Sequence, residues 1–339
     1  MGKVYPELKS CEIIKRYEEN PVLSAQDIAY DAELIFNAGI VKKDGRYIML
    51  FRNDYGTKEE EYPKKNRMEE TNIGVAFSDD GIHWKAEKKP IITAEDVRTD
   101  EISRFYDPRL TIIDGEIYMC FAVDSLHGVR GGIGKVNESI DKVEIISLSV
   151  PDNRNMVLFP EKISGYYTRL ERPFPVYGKG GIDRFDIWIS QSPDLKFWGN
   201  SELLLGVEHV PFANDKIGPA APPVKTEKGW LTTFHAVDID RTRGKNGWEN
   251  TWQKRYTAGI MLLDLENPYK VIGMSKNPLI APETDYEMNV GFRQNVIFPG
   301  GMILEDNGEV KIYYGASDTV ECLATADVND LIKLCCDKK

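Results

Sequence analysis

Residues 296–318 read V-I-F-P-G-G-M-I-L-E-D-N-G-E-V-K-I-Y-Y-G-A-S-D, an apolar run, an Asn-Gly turn and a second run of β-branched and aromatic residues. An Asn-Gly pair between two such runs is a strong signal for a β-hairpin, because primed turns need residues that accept positive φ. The same arrangement begins at four earlier points, at Ala38, Asp107, Leu158 and Ala220. The sequence therefore predicts a repeated all-β unit.

Each hairpin is followed by a weaker signal, a third apolar strand and a polar turn, as in I-W-I-S-Q-S-P-D-L-K-F-W from Ile187. About four strands in a unit of roughly 40–60 residues are the content of one propeller blade. The chain is therefore expected to be one all-β domain, a five-bladed β-propeller over about 30–330. A short N-terminal extension over 1–29 and a C-terminal helix over 327–339 would either close the ring or build a subunit interface, so a homo-oligomer is possible.

Composition excludes several classes of function. The net charge of −11, from 43 basic and 54 acidic residues, argues against nucleic acid or an anionic membrane as partner. The chain has no apolar run of the ~20 residues that a membrane span needs, and its N-terminus lacks the apolar core of a signal peptide. Five cysteines without metal-binding spacing predict reduced thiols and a cytoplasmic location. No metal or organic cofactor is implied.

The ends of the hairpins are the natural place for a site, because the innermost strands of all blades converge on the propeller axis. Polar residues recur there in each copy, although a single residue of this kind is more often simply solvated. The candidates at these ends are Arg52, Asp54, Asp124, Arg172, His235 and Asp318.

Asp107 is the strongest single candidate, in the motif R-F-Y-D-P-R at the start of a strand. Partial burial beside Tyr106 would keep this carboxyl group protonated, as a general acid requires. The alternative is a turn aspartate that accepts backbone N–H bonds ahead of Pro108.

A second group of candidates is cationic. Arg154 and Arg172 flank one hairpin, and Lys216 precedes a Gly-Pro turn at the entrance to the next blade. Two guanidinium groups and an ammonium group beside His235 could clamp a tetrahedral oxyanion. Ordinary ion pairs with neighbouring carboxylates are the alternative.

Several motifs resemble glycoside hydrolase family 130, in the right order and over roughly residues 30–330. They are F-N-A-G at 36–39, F-R-N-D at 51–54, Y-D-P-R at 106–109, N-R-N-M-V-L-F-P-E-K-I at 153–163, L-E-R-P at 170–173, K-I-G-P at 216–219, G-W-L-x-x-x-H at 229–235 and Y-Y-G-A-S-D-T at 313–319. The resemblance implies a five-bladed β-propeller. It also implies a mannoside phosphorylase, in which inorganic phosphate attacks the anomeric carbon of a terminal β-mannose and releases α-mannose 1-phosphate with inversion.

The resemblance also assigns residues. Asp107 would be the single catalytic acid, acting through the 3-hydroxyl group of the mannose in the −1 subsite. The phosphate site would consist of Arg154, Asn155, Arg172, Lys216 and His235. The −1 mannose would be held by Asn37, Arg52, Asp54, Tyr106 and Asp318.

The residue types fit phosphorolysis on chemical grounds. An inverting hydrolase needs a second carboxylate as a base that activates water. Phosphate is already an anion and needs positive charge rather than a base. One acid and a cationic group therefore favour phosphorolysis, with inorganic phosphate as co-substrate.

The linkage and the reaction leave alternatives open. The segment F-P-V-Y-G-K-G-G-I-D-R-F-D-I-W at 174–188 looks closer to the branch of the family that handles short β-1,2-mannosides, with β-1,4-mannosides or mannosylglucose second. An inverting β-mannosidase would need a base, for which Glu283 or Asp285 is the candidate. A mannoside-binding propeller without catalysis is the remaining alternative.

Overall fold

The computed structural model describes residues 8–56, 68–97, 101–175, 185–239 and 254–336, and these form five antiparallel sheets around one axis. Blade 1 contains β2 (Leu34–Lys43), β3 (Arg46–Tyr55), β4 (Glu70–Ser78) and β5 (Lys85–Ala86). Blade 2 contains β6 (Ile102–Ile113), β7 (Glu116–Ser125), β8 (Gly128–Val136) and β9 (Val143–Leu148). Blade 3 contains β10 (Asn153–Leu158), β11 (Tyr167–Pro173), β12 (Ile187–Ser192) and β13 (Gly199–Leu205). The predicted propeller is confirmed.

Blades 4 and 5 depart from the simple four-strand pattern. Blade 4 contains β14 (Lys216–Pro219), β15 (Val224–Thr226), β16 (Gly229–Ile239), β17 (Lys254–Leu263) and β18 (Val271–Met274). Its inner strand is split, since β14 and β15 both pair with β16. Blade 5 contains β19 (Ile297–Leu304), β20 (Glu309–Ala316), β21 (Val320–Asp327) and, from the other end of the chain, β1 (Lys15–Arg16).

The N-terminal strand β1 closes the ring. Lys15 pairs with Thr325 and Arg16 with Ala324, so the first strand of the chain forms the outer edge of the last blade. Arg16 also bonds to Glu287, in the short helix α2 (Asp285–Met288). Of the two roles considered for the terminal segments, the structure gives residues 15–16 that of ring closure.

The chain after β21 forms helix α3 (Val328–Cys336), and the last three residues of the predicted helix lie outside the described residues. Its buried residues Leu331 and Cys335 pack in an apolar cluster built from blades 4 and 5. Short helices over Ala94–Val97 (α1), Ala25–Asp27 and Val207–His209 complete the described secondary structure.

The inner strands of blades 1, 2 and 3 each contain a β-bulge near the axis. The pairing register shifts between Phe36 and Gly39, between Tyr106 and Arg109, and between Arg154 and Val157. Asn37, Asp107 and Asn155 lie in these bulges, with φ of 54°, 56° and 56°. Asn and Asp adopt this left-handed region more readily than other non-glycine residues. A bulge re-aims a side chain, and here all three line the central cavity.

Packing between blades 5 and 1 is close enough to require glycine at one point. A Cβ atom on Gly300 would lie 2.0 Å from the carbonyl oxygen of Ala38. The blade faces bury aliphatic and aromatic side chains in several clusters, which fix the inner strands around the axis.

Candidate active site

A cavity lies on the propeller axis and is lined by residues from all five blades or the segments joining them. The lining consists of Asn37, Arg52, Asp107, Arg154, Asn155, Arg172, Tyr256, Arg293, Val296, Phe298 and Asp318. Most of the residues proposed from the sequence therefore meet in one place, although they are far apart in the chain. Asp54, Tyr106, Lys216 and His235 are not among the lining residues.

Asp107 is held by two donors. Arg52 Nη1 donates to its Oδ1 atom at 3.0 Å, and Asn37 Nδ2 donates to the same atom at 3.1 Å. Burial by itself would raise the pKa of Asp107, but Arg52, Arg109, Asn37 and Arg154 together hold this pKa below its ordinary value. The expectation that burial keeps this carboxyl group protonated is therefore wrong, because its cationic neighbours favour the ionised form of Asp107.

Asp54 acts on the cavity through Arg52. Arg52 donates to both of its carboxylate oxygens, from Nε at 2.8 Å and from Nη2 at 2.5 Å. Arg104 adds a third bond to Asp54 at 2.9 Å. The Arg52 guanidinium also lies 4.8 Å from the ring centroid of Tyr106. Its remaining nitrogen, Nη1, is thereby aimed at Asp107.

Tyr106 lies beside the bulge that carries Asp107. Its hydroxyl group donates to Asp124 at 2.7 Å, and burial raises its pKa above the ordinary value. Asp124, one of the predicted hairpin ends, therefore serves to position Tyr106. The Tyr106 ring in turn packs against Arg52.

Arg154 and Arg172 supply the positive charge of the cavity. They are directly opposite in the β10–β11 pair, and Arg172 is only 1% exposed. Burial and the neighbouring Arg154 lower the pKa of Arg172 to about 9. Within the part of the chain that the structure describes, Arg154 Nε and the Nε and Nη2 atoms of Arg172 have no hydrogen-bond partner. Buried donors without partners are unfavourable by about 1–3 kcal/mol each, so these atoms indicate an anion site.

His235 lies directly against Arg172. Arg172 Nη1 is 3.0 Å from His235 Nε2, and the imidazole ring stacks on Phe298 with centroids 4.6 Å apart. Burial, Arg172, Lys216 and Arg154 hold the pKa of His235 well below its ordinary value. The imidazole is therefore neutral and accepts the bond from Arg172.

Lys216 lies near the same guanidinium group but outside the cavity lining. Its Nζ atom is 3.9 Å from Asp215 Oδ2, and it lies 5.5 Å from the ring centroid of Phe185 and 5.6 Å from that of Tyr256. Burial, Arg172 and Lys254 lower its pKa to about 6. Lys216 therefore loses its positive charge as the pH rises through about 6.

The sequence did not identify four of the lining residues, Tyr256, Arg293, Val296 and Phe298. Arg293 donates to Asp318 at 3.1 Å and precedes the fifth hairpin. Tyr256 comes from β17 in blade 4, which is not the end of a predicted hairpin. The sequence offers one signal for Arg293, its position three residues before the start of the fifth hairpin at Val296.

In the sequence, Arg109 stands out only as a member of the Y-D-P-R motif. In the structure it connects blades 1, 2 and 4 through hydrogen bonds. It is buried and donates to the carbonyl groups of Asn37 at 2.8 Å, Pro108 at 2.7 Å and Ala220 at 3.0 Å. These bonds fix the bulges of blades 1 and 2 relative to blade 4. They therefore position both Asn37 and Asp107.

The two carboxylates considered as a hydrolytic base lie away from the cavity lining. Glu283 accepts bonds from the Ser10 backbone and from Arg16, and Asp285 accepts a bond from Asn289. Asp107 and Asp318 are the carboxylates of the lining.

The described ranges contain no group of three or more His, Cys, Asp or Glu side chains that could hold a metal ion. None of their helices has the length and apolar character needed to cross a membrane.

Comparison with known proteins places the chain in a family. Residues 9–337 match the sequence model of glycoside hydrolase family 130, described as beta-1,4-mannooligosaccharide phosphorylase. The chain is 32% identical to the beta-1,2-mannobiose phosphorylase of Thermoanaerobacter sp., over 90% of this chain and 94% of that protein. It is 31% identical to the beta-1,4-mannooligosaccharide phosphorylase of Ruminococcus albus, over 95% and 90% of the two chains.

A solved structure agrees with these relatives. The beta-1,2-mannobiose phosphorylase of Listeria innocua, in complex with beta-1,2-mannobiose, superimposes with a TM-score of 0.78 at 26% identity, over 95% of this chain and 98% of that one. The chain belongs to glycoside hydrolase family 130. The prediction of an enzyme of the phosphorylase type is confirmed at the level of this family.

Proposed function

We propose that this enzyme is an inverting β-mannoside phosphorylase that converts short β-1,2-mannosides and phosphate into α-mannose 1-phosphate and a shortened saccharide. The observation that carries the proposal is the set of buried guanidinium N–H groups without partners on Arg154 and Arg172, in the cavity that also contains Asp107. A site for water would not require two buried cations.

Phosphate would bind to Arg154 and Arg172, with Asn155 beside them. Guanidinium groups bind tetrahedral oxyanions through paired, charge-assisted bonds. His235 would support the site by holding Arg172, and Lys216 would add charge when it is protonated. This arrangement would hold the attacking oxygen near the sugar without the need for a base.

The acid step depends on the same anion. Asp107 is ionised in the free enzyme because of the surrounding guanidinium groups. A bound phosphate would offset part of that positive charge and raise the pKa of Asp107, so that the carboxyl group carries a proton when both substrates are bound. Asp107 would then donate to the mannose 3-hydroxyl, whose own proton passes to the glycosidic oxygen. The bond from C1 to that oxygen breaks as a phosphate oxygen bonds to C1 from the opposite face.

The terminal mannose would lie against Asn37, Arg52 and Asp318, which line the cavity beside Asp107. Asp54 and Tyr106 would act through Arg52, which both of them contact. Arg293, which donates to Asp318, is a further candidate for this subsite. Planar amide, guanidinium and carboxylate groups are suited to paired hydroxyl groups.

The β-1,2 linkage is supported by the likeness to the Listeria and Thermoanaerobacter enzymes. The Ruminococcus relative keeps β-1,4-mannosides as the second candidate, and the 4-O-beta-D-mannosyl-D-glucose phosphorylase of Bacteroides fragilis keeps mannosylglucose beside them. Residues 176–184 of the segment that suggested this linkage lie outside the described residues.

A cytoplasmic location without a cofactor remains part of the proposal. The described cysteines are free thiols, which suits a reducing compartment.

The test is the formation of mannose 1-phosphate from β-1,2- and β-1,4-mannobiose, each with and without inorganic phosphate. Phosphate-dependent product from the β-1,2 disaccharide is expected. Product from the β-1,4 disaccharide alone would overturn the linkage. Free mannose released without phosphate would identify a hydrolase, and binding without turnover of either disaccharide would favour the non-catalytic alternative.

A further inference from the structure

A second cavity lies between blades 2 and 3 and encloses about 1050 Å³. Its walls are β8, β9 and residues 149–152 on one side and strands β10 to β13 on the other. Ligand pockets typically measure about 300–1,000 Å³, so this blade 2–3 cleft is large enough for several sugar units. It is separate from the lining of the central cavity described above.

The floor of the blade 2–3 cleft is a buried polar network around Glu171. This carboxylate accepts bonds from Arg169 Nη2 at 2.8 Å, Asn153 Nδ2 at 2.6 Å and Ser190 Oγ at 2.6 Å. A buried ion pair usually stabilises a fold no better than apolar packing does, so stability alone does not account for the Arg169–Glu171 pair. Asn153 is 8% exposed, and its Oδ1 atom has no hydrogen-bond partner among the described residues. The floor therefore offers an acceptor to a ligand hydroxyl group.

The walls combine aromatic rings with balanced charge. Trp188, Trp198 and Phe174 line the cleft, and the Arg169 guanidinium lies 4.0 Å from the Trp198 ring centroid. Aromatic faces pack against the C–H faces of pyranose rings while polar groups take the hydroxyls. The charged lining residues are Arg169 and Lys196 against Asp152, Glu171 and Asp186. Mixed charge of this kind suits a neutral, polyhydroxylated ligand better than an anion.

The inner end of the blade 2–3 cleft adjoins the central cavity. The Phe174 ring, which lines the cleft, lies 5.5 Å from the Arg154 guanidinium and 5.4 Å from that of Arg172. A saccharide whose terminal mannose lies beside Asp107 could therefore extend its remaining units outward between the two blades. We infer that the blade 2–3 cleft binds the distal sugar units of longer β-mannosides and sets the preference for chain length, an inference that rests on the proposed function.

The test measures binding of β-linked manno-oligosaccharides of two to five units by isothermal titration calorimetry, without phosphate so that no turnover occurs. Ser201 is exposed and lines the cleft, so Ser201→Trp obstructs part of the cleft without disturbing the core. Trp198→Ala removes one aromatic wall. Phe197→Ala is the matched control, because Phe197 is 74% exposed and is not among the cleft-lining residues. Circular dichroism establishes that each variant is folded.

The wild-type enzyme is expected to bind the tetrasaccharide at least about tenfold more tightly than the disaccharide, and Phe197→Ala is expected to keep that ratio. Ser201→Trp and Trp198→Ala should reduce it to about threefold or less while leaving disaccharide affinity within about twofold. Length-independent binding in the wild type, or equal weakening for all lengths in the variants, would overturn the inference. Phosphorolysis of the disaccharide is assayed in parallel. Absence of phosphorolysis would refute the proposed function. The ratio of tetrasaccharide to disaccharide affinity would still test whether the blade 2–3 cleft binds the distal sugar units.

Discussion

The Nη1 atom of Arg172 lies 3.0 Å from the Nε2 atom of His235, and both side chains are buried. Because a guanidinium group has no acceptor, Nε2 must accept this bond and the imidazole must be neutral. The bond leaves Arg172 Nε and Nη2 for an anion in the central cavity, since neither has a partner among the described residues. His235 is therefore a positioning residue for the proposed phosphate site.

His235→Phe should weaken phosphate binding by about tenfold, because it removes the acceptor that orients Arg172. The buried N–H left behind should lower the free energy of unfolding by about 1–3 kcal/mol. Initial rates at varied phosphate and fixed disaccharide measure the first effect, and urea denaturation measures the second. His235→Gln, which keeps a side-chain acceptor, should restore part of the phosphate affinity. A change confined to the KM for the sugar would contradict this role.

Asp107→Asn should abolish phosphorolysis, with a loss of about 10²–10⁴-fold or more in kcat, the range for general acids. The amide is nearly isosteric, so the fold and phosphate binding should persist. The release of mannose 1-phosphate reports turnover, and calorimetric titration with phosphate reports the anion site. Full activity in this variant would exclude Asp107 as the acid.

Lys216 should make anion binding depend on pH. Its pKa is lowered to about 6, so the side chain is neutral in the free enzyme above that pH and must take up a proton to assist an anion. Affinity should therefore fall as the pH rises from 5 to 8. Sulfate is the suitable probe, because it does not titrate in this range.

Lys216→Ala should flatten the pH dependence of sulfate binding and raise the KM for phosphate more than the KM for the mannoside. Lys225→Ala is the control, since Lys225 is exposed and paired with Glu161. An unchanged sulfate profile in Lys216→Ala would remove Lys216 from the anion site.

Arg16→Met should destabilise the closure of the ring. Arg16 Nε donates to the fully buried Glu287 at 2.8 Å, and removal of one partner of a buried ion pair lowers stability by about 3–5 kcal/mol. Lys15→Met, in the same strand but at an exposed position, should change stability by less than about 0.5 kcal/mol. Urea denaturation of both variants measures the difference. Equal stabilities would mean that β1 is held by its backbone bonds alone.

The sequence was sufficient for the propeller, because each hairpin carries its own turn signal and the repeat needs no long-range information. Strand β1 could not be predicted, since two residues have no periodicity and their pairing with β21 is purely tertiary. The split inner strand of blade 4 was also missed. Its Ala-Ala-Pro-Pro run between β14 and β15 interrupts the pairing with β16.

The site was predicted where a residue ends a hairpin or lies in a recognisable motif. Arg293 and Tyr256 have neither property, and they reach the cavity only through the packing of blades 4 and 5. The protonation state of Asp107 was also beyond the sequence. It depends on the competition between burial and the guanidinium groups of Arg109 and Arg52, and burial and the approach of Arg52 from blade 1 arise only in the fold.

The pairing of β1 with β21 has a consequence for biosynthesis. Residues 15–16 leave the ribosome long before their partners at 324–325, because the rest of the propeller lies between them in the chain. Domains generally begin to fold while the chain is being made, yet this ring stays open until its final strand emerges. Because the central cavity is lined from all five blades or the segments joining them, a chain that has not yet reached β21 would hold most of the lining residues but no finished cavity.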